Sequence, residues 1–139
     1  MTLLVAMEML VNSLNVFLFE KSEILKFQIS CALTRAGHRV QGIQFDDCTD
    51  LTRFGVRPDI CIIDFQLNQK GLELLRRIRA FSSDTLIVST ASRTVTSDLI
   101  AGYRAGVDIY LPKPLDPNEL VAIAKNLANR KFCANSATA

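Results

Sequence analysis

Residues 57–64 read Arg57-Pro58-Asp59-Ile60-Cys61-Ile62-Ile63-Asp64. The apolar residues in the middle are continuous, not alternating. Pro58-Asp59 precede them, and Gln66-Leu67-Asn68-Gln69-Lys70-Gly71 follow. A short apolar run bounded by turn residues predicts a strand buried on both faces, as in parallel sheets covered by helices. Asp64 then puts a carboxylate at the carboxyl end of that strand. This is where open α/β sheets bind ligands and do chemistry.

The flanking sequence has the same grammar. Asn15-Val-Phe-Leu-Phe19 is β-prone. Residues 22–37 have a helical period, with Ser22 as N-cap and Gly37 as stop. Residues 38–43 predict a second strand. Asp46-Asp47 predict a helix start, with Leu51 and Phe54 packing inward and 55–58 breaking the helix. Helices are expected over 71–80 and 95–105, and strands over 85–89 and 108–111. Asp116-Pro117 opens a last helix expected to run to about Lys131, with Pro117 in its first turn. The expected fold is α/β: a flavodoxin-like, doubly wound five-stranded parallel sheet of order 2-1-3-4-5 with helices on both faces. The expected organisation is an N-terminal extension (1–14), one domain (15–131) and a flexible tail or linker start (132–139).

Composition narrows the classes. A length of 139 residues suits one domain. A net charge of +2 argues neither for nucleic acid nor for an acidic membrane. Cys31, Cys48, Cys61 and Cys133 form no C-x-x-C pair, and His38 is the only histidine, so zinc and Cys-His catalysis are disfavoured. His38 is expected at the surface. The cysteine pattern suits a reducing cytosol. The apolar N-terminus is interrupted by Glu8 and is shorter than the about 20 residues a membrane span needs. No membrane partner is expected.

In the order 2-1-3-4-5, the carboxyl ends of strands one and three face each other, with those of four and five beside them. Glu20 and Lys21, Asp64, Thr90 and Lys113 should therefore share one crevice. Asp46-Asp47 follow an edge strand and read as helix capping. Arg76, Arg77 and Arg79 read as a solvated helix face.

The chain resembles the receiver domain of bacterial response regulators over about residues 15–127. The resemblance rests on Phe19-Glu20-Lys21-Ser22, on 57–64, on Ser89-Thr90-Ala91 and on Ala105-Gly106-Val107-Asp108-Ile109-Tyr110-Leu111-Pro112-Lys113-Pro114. The resemblance implies that Asp64 is the phosphoacceptor, that Thr90 hydrogen-bonds the phosphoryl group, that Lys113 pairs with it and that Tyr110 moves with Thr90. The Lys113-Pro114 bond is a candidate for cis. A histidine kinase or phosphotransfer protein is the implied partner. A C-terminal DNA-binding output domain lying outside this chain is another. A homodimer through the fourth helix (95–105), fifth strand and fifth helix is a third. The implied setting is cytoplasmic. No enzyme activity is implied beyond phosphorylation and dephosphorylation of the chain's own aspartate.

Two positions depart from the family pattern. Receivers hold Mg²⁺ with two acids after strand one. Here the pair is Glu20-Lys21, which leaves Glu20, Asp64 and the Gln66 backbone as ligands if Mg²⁺ binds. An ammonium is no ligand for Mg²⁺, which takes an oxygen shell. Lys21 is thus expected to take the place of the metal, pairing with Asp64, with Glu20 as a further candidate partner. The loop after Asp64 also lacks the usual Pro. A phosphorylation-independent pseudo-receiver, acting only as a protein-interaction module, is the alternative. A flavodoxin-like nucleotide binder lacks a Gly-rich loop after strand one.

Overall fold

The computed structural model describes residues 2–4, 12–44, 50–64, 69–92 and 96–137. Its five strands are β1 (Asn15–Phe19), β2 (Arg39–Gly42), β3 (Ile60–Asp64), β4 (Leu86–Ala91) and β5 (Ile109–Pro112). The helices are α1 (Glu23–Arg35), α2 (Gln69–Phe81), α3 (Thr96–Ala105) and α4 (Pro117–Ala137). All strand pairings are parallel, in the expected order β2-β1-β3-β4-β5. The fold is the doubly wound, flavodoxin-like one.

The period of two along each strand builds a core on each side of the sheet. Phe17, Phe19, Cys61, Ile63 and Ile87 point to one face, where Leu74, Leu75 and Ile78 of α2 meet them. Val16, Leu18, Ile60, Ile62 and Val88 point to the other, against Ile29 and Leu33 of α1 and Leu120, Ala124 and Ala128 of α4. The continuous apolar runs are what this two-sided burial requires.

Local signals set the helix ends. The Ser22 side chain accepts the Leu25 N–H at 3.3 Å, capping α1. Gly37, at φ 96°, turns the chain out of α1 in the left-handed region that favours glycine.

Several expectations shift. The helix expected from Asp46-Asp47 has its start outside the described residues. Its described part is one 3-10 turn, Leu51–Phe54, capped by Asp50. Leu51 is buried there, and Phe54 packs edge-on against Phe17 at 5.3 Å. The last helix continues past Lys131 to Ala137, so helix covers most of the expected flexible tail. Residues 132–137 hold neither Gly nor Pro to stop it.

His38 is buried, 8% exposed, not at the surface. Its Nδ1 accepts the Leu14 N–H at 3.1 Å, satisfying a backbone donor just before β1. Burial lowers its pKa below the usual 6.5, with nearby Asp59 opposing. Asp59, at the amino end of β3, accepts the Asn15 N–H at 2.7 Å and pairs with Lys131 of α4. Among the described residues, no helix is long and apolar enough to cross a membrane.

Candidate functional site

The carboxyl ends of β1, β3, β4 and β5 bring the expected side chains together. Glu20 follows β1, and its side chain is almost fully buried. Asp64 ends β3 and stands opposite Thr90 of β4 in the sheet register. Lys113 follows β5, where its N–H donates to the Ala91 carbonyl at 2.9 Å. Its Nζ lies 3.1 Å from Asp64 Oδ1 and 3.4 Å from Glu20 Oε1. The Lys113-Pro114 bond is cis, as expected.

The two carboxylates differ in surroundings. Glu20 Oε1 also accepts the Ser22 N–H, at 3.1 Å. Its Oε2 is buried with no hydrogen-bond partner among the described residues. Burial raises the Glu20 pKa above the usual 4.5, and the charge of Asp64 adds to this. The Ser22 N–H and the Lys113 ammonium pull in the opposite direction. Asp64 is more open, with its side chain 13% exposed. The Thr90 hydroxyl is buried and has no hydrogen-bond partner among the described residues. A buried hydroxyl left unsatisfied is costly, so an acceptor arriving beside Asp64 would find a donor ready.

The Lys113 ammonium bridges the two carboxylates. Lys21 lies exposed on the turn after β1. Gln66 lies outside the described residues. Among the described residues no three His, Cys, Asp or Glu side chains group to hold a metal. The donor set does not fit the family's Mg²⁺ site: two carboxylates remain, one already shares Lys113 with the other, and position 21 carries a cation.

Tyr110 stands on β5 with its hydroxyl buried, and its ring meets Tyr103 of α3 edge-on at 5.1 Å. Burial raises the Tyr110 pKa above 10.0, helped by Tyr103 and Asp98.

Sequence reasoning missed one residue that supports the opposite, amino end of β4 and β5. Arg79, read as part of a solvated face, donates to the carbonyls of Ser83 (2.9 Å), Thr85 (2.8 Å) and Gly106 (2.5 Å). It also pairs with Asp108 Oδ2 at 3.0 Å. Asp108, expected as the first residue of strand five, lies just before it instead. Its Oδ2 accepts the Ile87 N–H at 2.8 Å, so the carboxylate serves the β4 backbone. Helical spacing cannot separate Arg79 from Arg76 and Arg77. Only the tertiary placement of 83–85 and 106–108 does.

Comparisons with known proteins bear on the family and the fold. The response regulator receiver domain family matches residues 16–125. The response regulator Rre1 of Synechocystis is 38% identical over 84 residues, covering 58% of this chain and 36% of the relative. The response regulator MprA of Mycobacterium avium is 37% identical over 75 residues, covering 53% of this chain and 33% of the relative. The matched region thus spans about a third of the length of these relatives. A response regulator from Thermotoga maritima superposes with a TM-score of 0.69 at 21% identity, covering 84% of this chain and 98% of that one. The BeF3-activated DrrB receiver domain superposes with a TM-score of 0.70 at 20% identity, covering 83% and 97%. At such identity these structures speak for the fold alone. The chain belongs to the response regulator receiver domain family, the signalling modules of two-component systems.

Proposed function

We propose that Asp64 accepts a phosphoryl group from a histidine kinase or phosphotransfer protein, and that Thr90 and Lys113 hold the product. The observation that carries this reading is the 3.1 Å approach of Lys113 to Asp64, beside the buried hydroxyl of Thr90. In the transfer, an Asp64 carboxylate oxygen bonds to phosphorus and the P–N bond of the donor phosphohistidine breaks. The electron pair stays on the imidazole, and the product is an acyl phosphate. The Lys113 ammonium offsets phosphoryl charge, and the Thr90 hydroxyl donates to a phosphoryl oxygen. Tyr110 is the switch residue that reports this step to the face of α3, β5 and α4.

On this reading the output is a change in that face, where Ile100 and Tyr103 are exposed. Its occupants are a second copy of the domain or a DNA-binding output domain beyond α4, and the domain works in the cytoplasm.

Lys21 favours a second reading. A cation at a metal-ligand position suits a pseudo-receiver that signals by binding alone. One experiment separates the two. The protein is incubated with acetyl phosphate, with and without Mg²⁺, and weighed by mass spectrometry. A gain of one phosphoryl group, lost in Asp64→Ala, supports the acceptor. No gain under either condition gives the second reading.

A further inference from the structure

Gly102 sits inside α3, a helix of ten residues. Glycine is the poorest helix former after proline, so its presence there calls for a packing reason. The neighbouring strand supplies one. A Cβ at position 102 would lie 1.5 Å from the Tyr110 hydroxyl oxygen and 2.7 Å from its Cζ. Unbonded atoms do not approach so closely. The Tyr110 hydroxyl therefore rests directly on the α3 backbone, in space that only a missing side chain leaves. Tyr103, one residue on, covers the ring from outside, at 83° between ring planes. The rest of the ring packs on the core cluster that includes Phe17, Ile87 and Val107.

We infer that Gly102 is the positioning residue that seats Tyr110 with its hydroxyl buried, so that α3 and β5 are locked sterically before Asp64 carries any phosphoryl group. The inference builds on the reading of Tyr110 as the switch residue. It adds that the seat is built into α3 and does not wait for the acceptor site. The size of residue 102 then sets how far the ring is held in.

The chain has only two tyrosines and no tryptophan, which makes the seat easy to read. The unphosphorylated protein is treated with tetranitromethane, and its peptides are weighed. Tyr103, 51% exposed, is expected to nitrate, and Tyr110 to be protected. In Gly102→Ala, Tyr110 should nitrate at a rate comparable with Tyr103, with the far-UV circular dichroism unchanged. Thermal melting gives a second readout. Gly102→Ala should lower Tm in the natural background and raise it in a Tyr110→Leu background, where alanine's helix preference acts unopposed. Continued protection of Tyr110 in Gly102→Ala, or a Tm change of the same sign in both backgrounds, overturns the inference. Neither readout uses a phosphoryl donor. Failure of Asp64 to accept phosphate therefore leaves both standing, and failure here leaves the acceptor reading untouched.

Discussion

Lys113 reaches Asp64 at 3.1 Å across an intervening strand, for β4 lies between β3 and β5. On that intervening strand Thr90 stands in register with Asp64 and carries a buried hydroxyl. Removing the Lys113 ammonium leaves two neighbouring carboxylates without their shared cation. Lys113→Ala is expected to lower stability at neutral pH by about 1–3 kcal/mol, below the cost of breaking a fully buried pair because Lys113 and Asp64 are partly exposed. Urea denaturation checks this. An unchanged midpoint would show that the bridge contributes nothing to the fold.

Glu20 gives that pocket a pH dependence of known sign. Its folded-state pKa is raised above 4.5, chiefly by burial. The native state therefore holds the Glu20 proton more tightly than the unfolded chain does. The associated stability is fully present below pH 4.5 and is lost as pH rises through the folded pKa. Glu20→Gln cannot ionise, so its stability relative to the natural protein should grow as pH rises through that window. Melting both proteins between pH 4 and 8 tests the slope; parallel curves would contradict it.

His38 carries the opposite sign. Its pKa is lowered below 6.5 by burial. The unfolded chain binds the proton more readily, so the stabilising contribution is present above pH 6.5 and is lost as pH falls through the folded pKa. Because His38 is the only histidine, its ring proton signals in NMR are unambiguous. A titration midpoint at or above 6.5 would contradict the buried acceptor role of Nδ1.

Arg79 is expected to matter more than its helix neighbours. Arg79→Ala strands the carbonyls of Ser83, Thr85 and Gly106 and unpairs Asp108. A loss of about 2 kcal/mol is expected, against a few tenths for Arg76→Ala. Equal midpoints for the two variants in urea would refute the distinction.

Lys21 decides the metal question. Lys21→Asp restores a carboxylate where receivers hold Mg²⁺ and should raise Mg²⁺ affinity at least tenfold, or about 1.4 kcal/mol. Isothermal titration of the variant against the natural protein measures it, and no gain would show that position 21 is not what limits metal binding.

The parts legible in the sequence share a physical trait. Strands buried on both faces leave continuous apolar runs, and residues 60–63 show one. The order of such runs places Glu20, Asp64, Thr90 and Lys113 at one end of the sheet without further information. What stayed hidden depends on neighbours far along the chain. Arg79 has the same local context as Arg77, and only the carbonyls of Ser83, Thr85 and Gly106 and the Asp108 carboxylate set it apart. His38 is polar and precedes an edge strand, which suggests exposure, yet the Leu14 N–H needs an acceptor there. Gly102 reads as a weak point in a helix until Tyr110 is placed beside it. The extent of the last helix was missed because small polar residues suggested a tail, while no residue in it stops a helix.

β3 is the strand with an aspartate at each end, and each aspartate is held by a lysine from the chain around α4. Asp59 is fastened by Lys131 at the amino end, and Asp64 by Lys113 at the carboxyl end. The strand is thus moored at bow and stern, to α4 itself at one end and to the segment leading into α4 at the other. On the proposed reading, a phosphoryl group on Asp64 would draw the Lys113 ammonium from the carboxylate to itself and leave the Lys131 mooring fast. Any movement of α4 against the sheet would then be a swing about Asp59, smallest at the far end and largest beside Asp64.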